Sequence, residues 1–253
     1  MEVISIPCLR DNYAWLLVVH DGCVVVDPSE AGPVEAAIAA ARVPLRAILA
    51  THHHPDHVGG IEALVEAHGV PVYGHVHDED RIPRLSRPLS HGDRFDLHGG
   101  LAFEALHVPG HTLGAVTYVG HGWAFTGDTL FTAGCGRLFE GTAAQMHASL
   151  NGVLGALPDE TWIACGHEYT ASNLRFAAHV EPDQPAILAR IAHVAALRQE
   201  GKPSVPARLG EERATNPFLR VDVPAVRAHF GLGAGPTGAE VFAALRAEKD
   251  SFQ

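Results

Sequence analysis

The stretch Thr51-His52-His53-His54-Pro55-Asp56-His57 comes directly after the apolar run Leu45–Ala50. A short apolar run closed by polar residues reads as a buried strand. In an extended segment side chains alternate, so His52 and His54 point the same way and can share one metal ion. Asp56 and His57 sit where the chain turns into the next helix and can aim at a second ion. Pro55 stiffens that turn and restricts the backbone of His54. By the same alternation His53 points the other way and is read as a non-ligand.

Three later positions repeat the geometry, each a metal-competent side chain just beyond an apolar strand. His111 follows Leu106-His107-Val108-Pro109-Gly110, Asp128 follows Ala124-Phe125-Thr126-Gly127, and His167 follows Trp162-Ile163-Ala164-Cys165-Gly166. A glycine before each candidate lets the backbone turn tightly. With His52, His54, Asp56 and His57 they make seven nitrogen and oxygen donors. That set suits two borderline divalent ions with three protein ligands each and one shared carboxylate. Two ions close together lower the pKa of a bridging water and polarise a carbonyl or phosphoryl oxygen. The implied chemistry is hydrolysis without a protein nucleophile, and no G-x-S-x-G elbow or P-loop argues for another. Asp27, at the end of an apolar run before Pro28, reads either as support for a histidine ligand or as a strand-end turn.

The chain has 253 residues, 47% hydrophobic and 19% charged, enough to bury a sizeable core. Its 18 Lys and Arg stand against 29 Asp and Glu, a formal net charge of −11. An acidic surface argues against nucleic acid and against an anionic membrane as partners. A small anionic substrate would need a local basic patch. No apolar stretch approaches the ~20 residues that span a bilayer, and the N-terminal residues lack the shape of a signal peptide, so a cytoplasmic protein is expected. The four cysteines, Cys8, Cys23, Cys135 and Cys165, form no C-x-x-C pair and read as buried thiols.

Strand and helix signals alternate through the first two thirds. Tyr13–Val19 and Cys23–Val26 flank an Asp-Gly turn and read as a hairpin. Residues 33–42 read as a helix, 58–68 as another closed by Gly69, and 70–74 as a strand. Leu101–Val108, Gly114–Val119, Trp123–Thr126 and Thr161–Cys165 read as strands, with a helix over 145–157. From about residue 171 strand signals vanish. Helices are predicted over 185–199 and 223–230, and Thr237-Gly238-Ala239-Glu240 fits a capping box opening a last one to about Lys249. The organisation predicted is a mixed α/β domain over 1–170 and a small helical domain over 171–253.

The pattern His52-x-His54-x-Asp56-His57 with His111, Asp128 and His167 in order resembles the metallo-β-lactamase superfamily. Leu9-Arg10-Asp11-Asn12-Tyr13, Pro109-Gly110-His111-Thr112, Phe125-Thr126-Gly127-Asp128-Thr129, Ala133-Gly134-Cys135-Gly136-Arg137, Gly166-His167-Glu168-Tyr169-Thr170 and the tail Arg246-Ala247-Glu248-Lys249-Asp250 are similar to one branch, glyoxalase II, the hydroxyacylglutathione hydrolases. The resemblance runs over nearly the whole chain. It implies an αββα sandwich followed by a small helical C-terminal domain that binds glutathione. It also implies a cytoplasmic thioester hydrolase, expected to be a monomer, that cleaves S-D-lactoylglutathione to glutathione and D-lactate in methylglyoxal detoxification. The cofactors implied are two divalent metal ions, zinc foremost, with iron or manganese as the other options. His52, His54 and His111 would bind one; Asp56, His57 and His167 the other; Asp128 would bridge. A bridging hydroxide would attack the thioester carbonyl, with Asp56 also a candidate to take its proton. The thiolate would leave without an acid. Tyr169 matches a substrate-contacting tyrosine. Arg137 stands where many members carry Lys, and Phe139 where many carry Tyr. Arg246 and Lys249, three apart on one helix face, read by spacing alone as a solvated helix end; the resemblance implies that they bind the glycine carboxylate of glutathione. The roles of Asn173 and Arg175 are not set by the sequence. A persulfide dioxygenase with one iron, or a metal buffer without turnover, are the competing readings of the same ligands.

Overall fold

β1 (Glu2–Cys8), β2 (Asn12–Val19) and β3 (Gly22–Val26) form an antiparallel meander. α1 (Ala31–Ala41) then crosses to β4 (Leu45–Leu49), which lies parallel to β3. α2 (Pro55–Val58) and α3 (Ile61–His68) lead to β5 (Val72–His75), and β6 (Leu85–Leu89) closes the sheet, both parallel to their neighbours. The order is β1-β2-β3-β4-β5-β6. The structure, a computed structural model, describes residues 1–233 and 235–252.

Alternation explains why β2 to β4 are apolar apart from Asn12 at the start of β2 and the exposed Arg46 of β4. Ala14, Leu16, Cys23, Val25 and Ile48 pack with Val34 and Ile38 of α1 and Ile61 and Leu64 of α3. The residues between them face a second sheet: Trp15 lies 6.5 Å from the rings of both Trp123 and Phe125. That sheet is β7 (Arg94–Leu97), β8 (Leu101–His107), β9 (Val116–Gly120) and β10 (Trp123–Gly127), antiparallel in sequence order. Tyr73 stacks on Phe95 at 5.2 Å, and the buried Tyr118 hydroxyl donates to the Ala50 carbonyl at 2.8 Å. Strands covered on both faces need apolar residues at every position. Each fully buried Leu or Ile side chain contributes roughly 1.5–3 kcal/mol.

The remaining elements are β11 (Leu130–Phe131), β12 (Gly134–Cys135), α4 (Ala143–His147), β13 (Trp162–Cys165), α5 (Thr170–Val180), α6 (Pro185–Gln199), β14 (Ala207–Arg208), α7 (Leu209–Thr215), α8 (Pro224–His229) and α9 (Gly238–Ser251). The chain divides into two compact units: 1–107 with 114–127, and 108–113 with the residues from 128 onward. This cut differs from a division at 170/171, because the segment after Asp128 is tied to later helices. In that second unit the buried Glu212 of α7 accepts from the Ala133 amide at 2.7 Å and pairs with the buried Arg190 of α6. Asn216 donates to the Gly134 carbonyl at 2.9 Å. Leu174 and Ala177 of α5 pack with Ile187 and Val194 of α6.

Several expectations need correction. The helix expected over 58–68 starts three residues later, at Ile61, and residues 55–58 form the separate short helix α2. Gly59 and Gly60 mark the break: a Cβ on Gly60 would lie 2.7 Å from the Pro28 carbonyl oxygen, so this approach to the β3–α1 turn requires glycine. The helix over 145–157 begins as α4 with a Thr142/Gln145 capping box, then widens into a π segment over 148–153 and a 3₁₀ turn over 154–156. Gly152 and Gly155 weaken a regular helix there. Strand structure does not vanish after 171, since β14 pairs with β13. α6 and the capped α9 match the sequence reading.

Candidate metal centre

Four of the seven expected ligands lie in the first unit, just beyond β4. The buried Asp27, at the end of β3, organises them. Its Oδ1 accepts from the Thr51 amide at 2.7 Å and its Oδ2 from the Thr51 hydroxyl at 2.6 Å. His57 Nδ1 lies 3.0 Å from the same Oδ2. A carboxylate only accepts, so His57 carries its proton on Nδ1 and keeps the Nε2 lone pair. The Thr51 proton is committed to Asp27, so Thr51 Oγ1 accepts from His52 Nδ1 at 3.1 Å. His52 therefore also keeps a lone pair on Nε2, which faces His54 Nδ1 at 3.1 Å. Asp27 is thus a support for histidines as well as the end of a strand. Asp56 Oδ2 lies 3.7 Å from His57 Nε2 and accepts from Asn12 Nδ2 at 3.0 Å. His53 turns to Asp78 at 3.2 Å and hydrogen-bonds Arg81.

The other three lie in the second unit. His111 donates from Nδ1 to the Arg137 carbonyl at 2.9 Å, leaving Nε2 3.5 Å from Asp128 Oδ2. His167 Nε2 lies 3.3 Å from the same oxygen. One carboxylate oxygen therefore stands between two imidazole nitrogens. Gly136 makes this possible, since a Cβ there would sit 2.0 Å from the Asp128 carbonyl oxygen and 2.9 Å from His111 Nδ1.

Both donor sets fit a divalent ion by their chemistry. Imidazole lone pairs are held in place by a second hydrogen bond on the opposite ring nitrogen, the arrangement that orients histidine ligands. Two ligands ~2.1 Å from a common tetrahedral ion stand roughly 3.4 Å apart, close to the His52–His54 spacing. A lone pair on His111 Nε2 facing a carboxylate oxygen is favourable only with a cation or proton between them. Thr51 and Asn12 were not singled out as ligand supports by the sequence reading. Asn12 lies within the Leu9–Tyr13 motif, whereas Thr51 carried no signal beyond its place at the strand end.

The residues expected to meet substrate are all in the second unit. Tyr169 stacks on His167 at 4.6 Å with an interplanar angle of 7°. Phe139, 64% exposed, sits edge-on to His111 at 5.2 Å. The Arg137 side chain is exposed, 3.9 Å from Asp250. Arg246 is a correction: it is 5% exposed, not part of a solvated helix end. Its Nη1 donates to the Cys135 carbonyl at 3.0 Å, and its Nη2 pairs with Asp250 at 2.8 Å. Lys249 donates to the Ser172 carbonyl at 3.5 Å; burial, then Arg246 and Arg175, pull its pKa down to about 8. Asn173 is buried and donates to the Thr132 carbonyl at 3.1 Å.

The four cysteines are buried and free, and burial pushes the thiols of Cys23, Cys135 and Cys165 up to about 11, so none is a thiolate nucleophile. A further histidine group, His75, His77 and His107, has His75 and His107 stacked at 4.0 Å and 9°. Among the described residues no helix is long and apolar enough to cross a membrane.

Residues 9–167 match the metallo-beta-lactamase superfamily, and residues 168–252 match the hydroxyacylglutathione hydrolase C-terminus. The chain is 52% identical to the hydroxyacylglutathione hydrolase of Alkalilimnicola ehrlichii over 98% of both chains, and 50% identical to that of Aeromonas salmonicida over 99% of both. Among solved structures it is similar to ETHE1 from Myxococcus xanthus, with a TM-score of 0.68, 24% identity and all of both chains covered. It is also similar to TTHA1623 in a di-iron-bound form, with a TM-score of 0.62 and 29% identity over 87% of this chain and 100% of that one. The fold class is that of the superfamily, an αββα sandwich followed by a helical C-terminal region, and its His and Asp donors suit divalent metal. Within that superfamily the chain belongs to the hydroxyacylglutathione hydrolase family, metal-dependent thioester hydrolases.

Proposed function

We propose that the chain hydrolyses S-D-lactoylglutathione, a 2-hydroxyacylglutathione thioester, to glutathione and D-lactate, the second step of methylglyoxal detoxification. The observation that carries this reading is 52% identity to a hydroxyacylglutathione hydrolase along essentially the full length of both chains. The protein acts in the cytoplasm as a monomer on a small-molecule substrate, without nucleic-acid or membrane partners. Residues 1–170 form the catalytic part and 171–253 the glutathione-binding part.

His52, His54 and His111 would hold one divalent ion and Asp56, His57 and His167 a second, with Asp128 available to both. Zinc is the leading choice, with iron or manganese accepted by the same donors. When bound, the two ions lower the pKa of the attacking water and polarise the thioester carbonyl. The chain's own part is orientation and proton handling. Asp27 and Thr51 fix the lone pairs of His52 and His57. Asn12 steadies Asp56, which takes the proton of the attacking water. No side chain needs to protonate the leaving sulfur, because a thiol pKa of ~8.5 makes the thiolate a competent leaving group. Tyr169, Phe139 and Arg137 contact the thioester substrate. At the glycine carboxylate Lys249 supplies the charge, and Arg246 holds the loop beside it.

The test is hydrolysis of S-D-lactoylglutathione by purified protein beside a chelator-stripped sample, with metal content read on both. Turnover that disappears with about two metals per chain supports the reading. A folded, metal-loaded protein that leaves the thioester intact, and instead consumes oxygen with a glutathione persulfide, overturns it.

A further inference from the structure

Three side chains of the second unit that take no part in the donor sets above meet at one point. His179 of α5 and His229 of α8 both bring Nε2 to the carboxylate of Glu248 on α9. His179 lies 2.9 Å from Oε1, and His229 lies 3.1 Å from Oε1 and 2.9 Å from Oε2. The imidazoles meet edge to face, with centroids 5.0 Å apart and an interplanar angle of 80°. One ligand atom from each of the three residues lies within 4.8 Å of the other two. Phe252 stands 5.2 Å from His179, and Phe230 stands 4.8 Å from His229. His179 is exposed, so one side of the group is open to solvent.

We infer that His179, His229 and Glu248 form a binding site for a borderline divalent transition metal such as zinc. Two imidazoles and a carboxylate are the donors such an ion prefers. The hydrogen-bonded triad already holds those atoms about as far apart as ligands of one ion, so binding needs no movement of the helices. Each histidine has only to carry its proton on Nδ1 instead of Nε2. The Glu248 carboxylate, which both Nε2 atoms now approach, then turns aside to leave the ion a place between its oxygens and the two nitrogens, and water completes the shell from the open side. An ion here fastens α5, α8 and α9 together, and α9 is the helix that bears Arg246 and Lys249.

The experiment titrates Zn²⁺ calorimetrically into holoenzyme whose metal content has been measured beforehand, with wild type, His229→Gln and Glu248→Gln in parallel. Gln at 229 keeps a donor for Glu248, so the hydrogen-bonded contact survives while the metal ligand is lost. Wild type should take up one further equivalent and gain thermal stability with added Zn²⁺. Both variants should lose that equivalent: an outer-shell change costs roughly 10–100-fold in metal affinity, and loss of a direct ligand costs more. Basal thioester hydrolysis without added zinc should be the same in all three. Uptake of no further equivalent by wild type, or equal affinity in the variants, overturns the assignment.

Discussion

Arg246 and Cys135 stand 111 positions apart in the chain, joined by a 3.0 Å hydrogen bond from the guanidinium Nη1 to the Cys135 carbonyl. The same nitrogen reaches the Gly136 carbonyl at 3.5 Å. The next residue, Arg137, offers its carbonyl to His111 Nδ1. The last helix is therefore connected through three consecutive backbone positions to His111, one of the proposed metal ligands. Arg246, whose spacing reads as a solvated helix end and which the family resemblance places at the substrate, is in the structure a buried support for the loop that orients His111.

Replacing Arg246 with Ala should therefore do more than raise KM. It leaves the Cys135 carbonyl without its buried donor and removes a buried cation from its partner Asp250. The expected loss of stability is about 1–3 kcal/mol, the cost of leaving a buried polar group without its partner; the ion pair itself adds little because Asp250 is 46% exposed. Urea denaturation measures it, and metal content of the purified variant reports whether His111 has lost its orientation. A variant with wild-type stability and full metal, altered only in KM, would show that the loop does not depend on Arg246.

Asp27 controls two ligands at once, directly through His57 and through the Thr51 hydroxyl to His52. Asp27→Asn places a donor where only an acceptor satisfies these partners. Metal affinity should fall by roughly 10–100-fold, as for other outer-shell changes. Competition with a chromophoric chelator at neutral pH measures it. Circular dichroism should be unchanged, because the Asn has nearly the same volume.

The ligand loop after β4 was legible because alternation and spacing are local properties. α6 and the α9 capping box were legible for the same reason. β6 escaped because Leu85-Ser86-Arg87-Pro88-Leu89 carries a proline, which an edge strand tolerates and a sequence pattern counts against. α5 escaped although Leu174, Ala177 and Val180 mark one face, since Thr170, Ser172 and Asn173 break the apolar pattern of its first turns. The burial of Arg246 had no local signal at all. Cationic residues three apart usually mean a solvated face, and what buries this one comes from the distant 134–136 loop.

Gly136 is the position least able to accept a side chain. A Cβ would meet the Asp128 carbonyl oxygen, a backbone atom, at 2.0 Å and His111 Nδ1 at 2.9 Å. Gly136→Ala must push apart the β12 loop and the segment bearing Asp128. The expected cost is about 1–3 kcal/mol of stability, as for overpacking elsewhere. Metal retention should also fall, because Asp128 moves relative to His111 and His167. Thermal denaturation and metal analysis check both, and Gly233→Ala, with nothing within 4 Å of the added methyl, is the control.

Lys249 gives the pH dependence its sign. Its pKa is drawn down to about 8, by burial first and then by the neighbouring Arg246 and Arg175. As pH rises through 8 the ammonium loses its proton, and with it the attraction for an anionic substrate. KM for a glutathione thioester should therefore climb above pH 8. Stability moves the opposite way: the folded pKa lies below the unfolded one, so this group disfavours folding while charged. That penalty is full below about 8 and is relieved as pH rises toward 10.5. Lys249→Arg keeps its charge throughout this range, so its KM should stay flat while kcat follows the wild type. If the variant shows the same rise in KM, another group sets the pH dependence and Lys249 does not hold the substrate carboxylate.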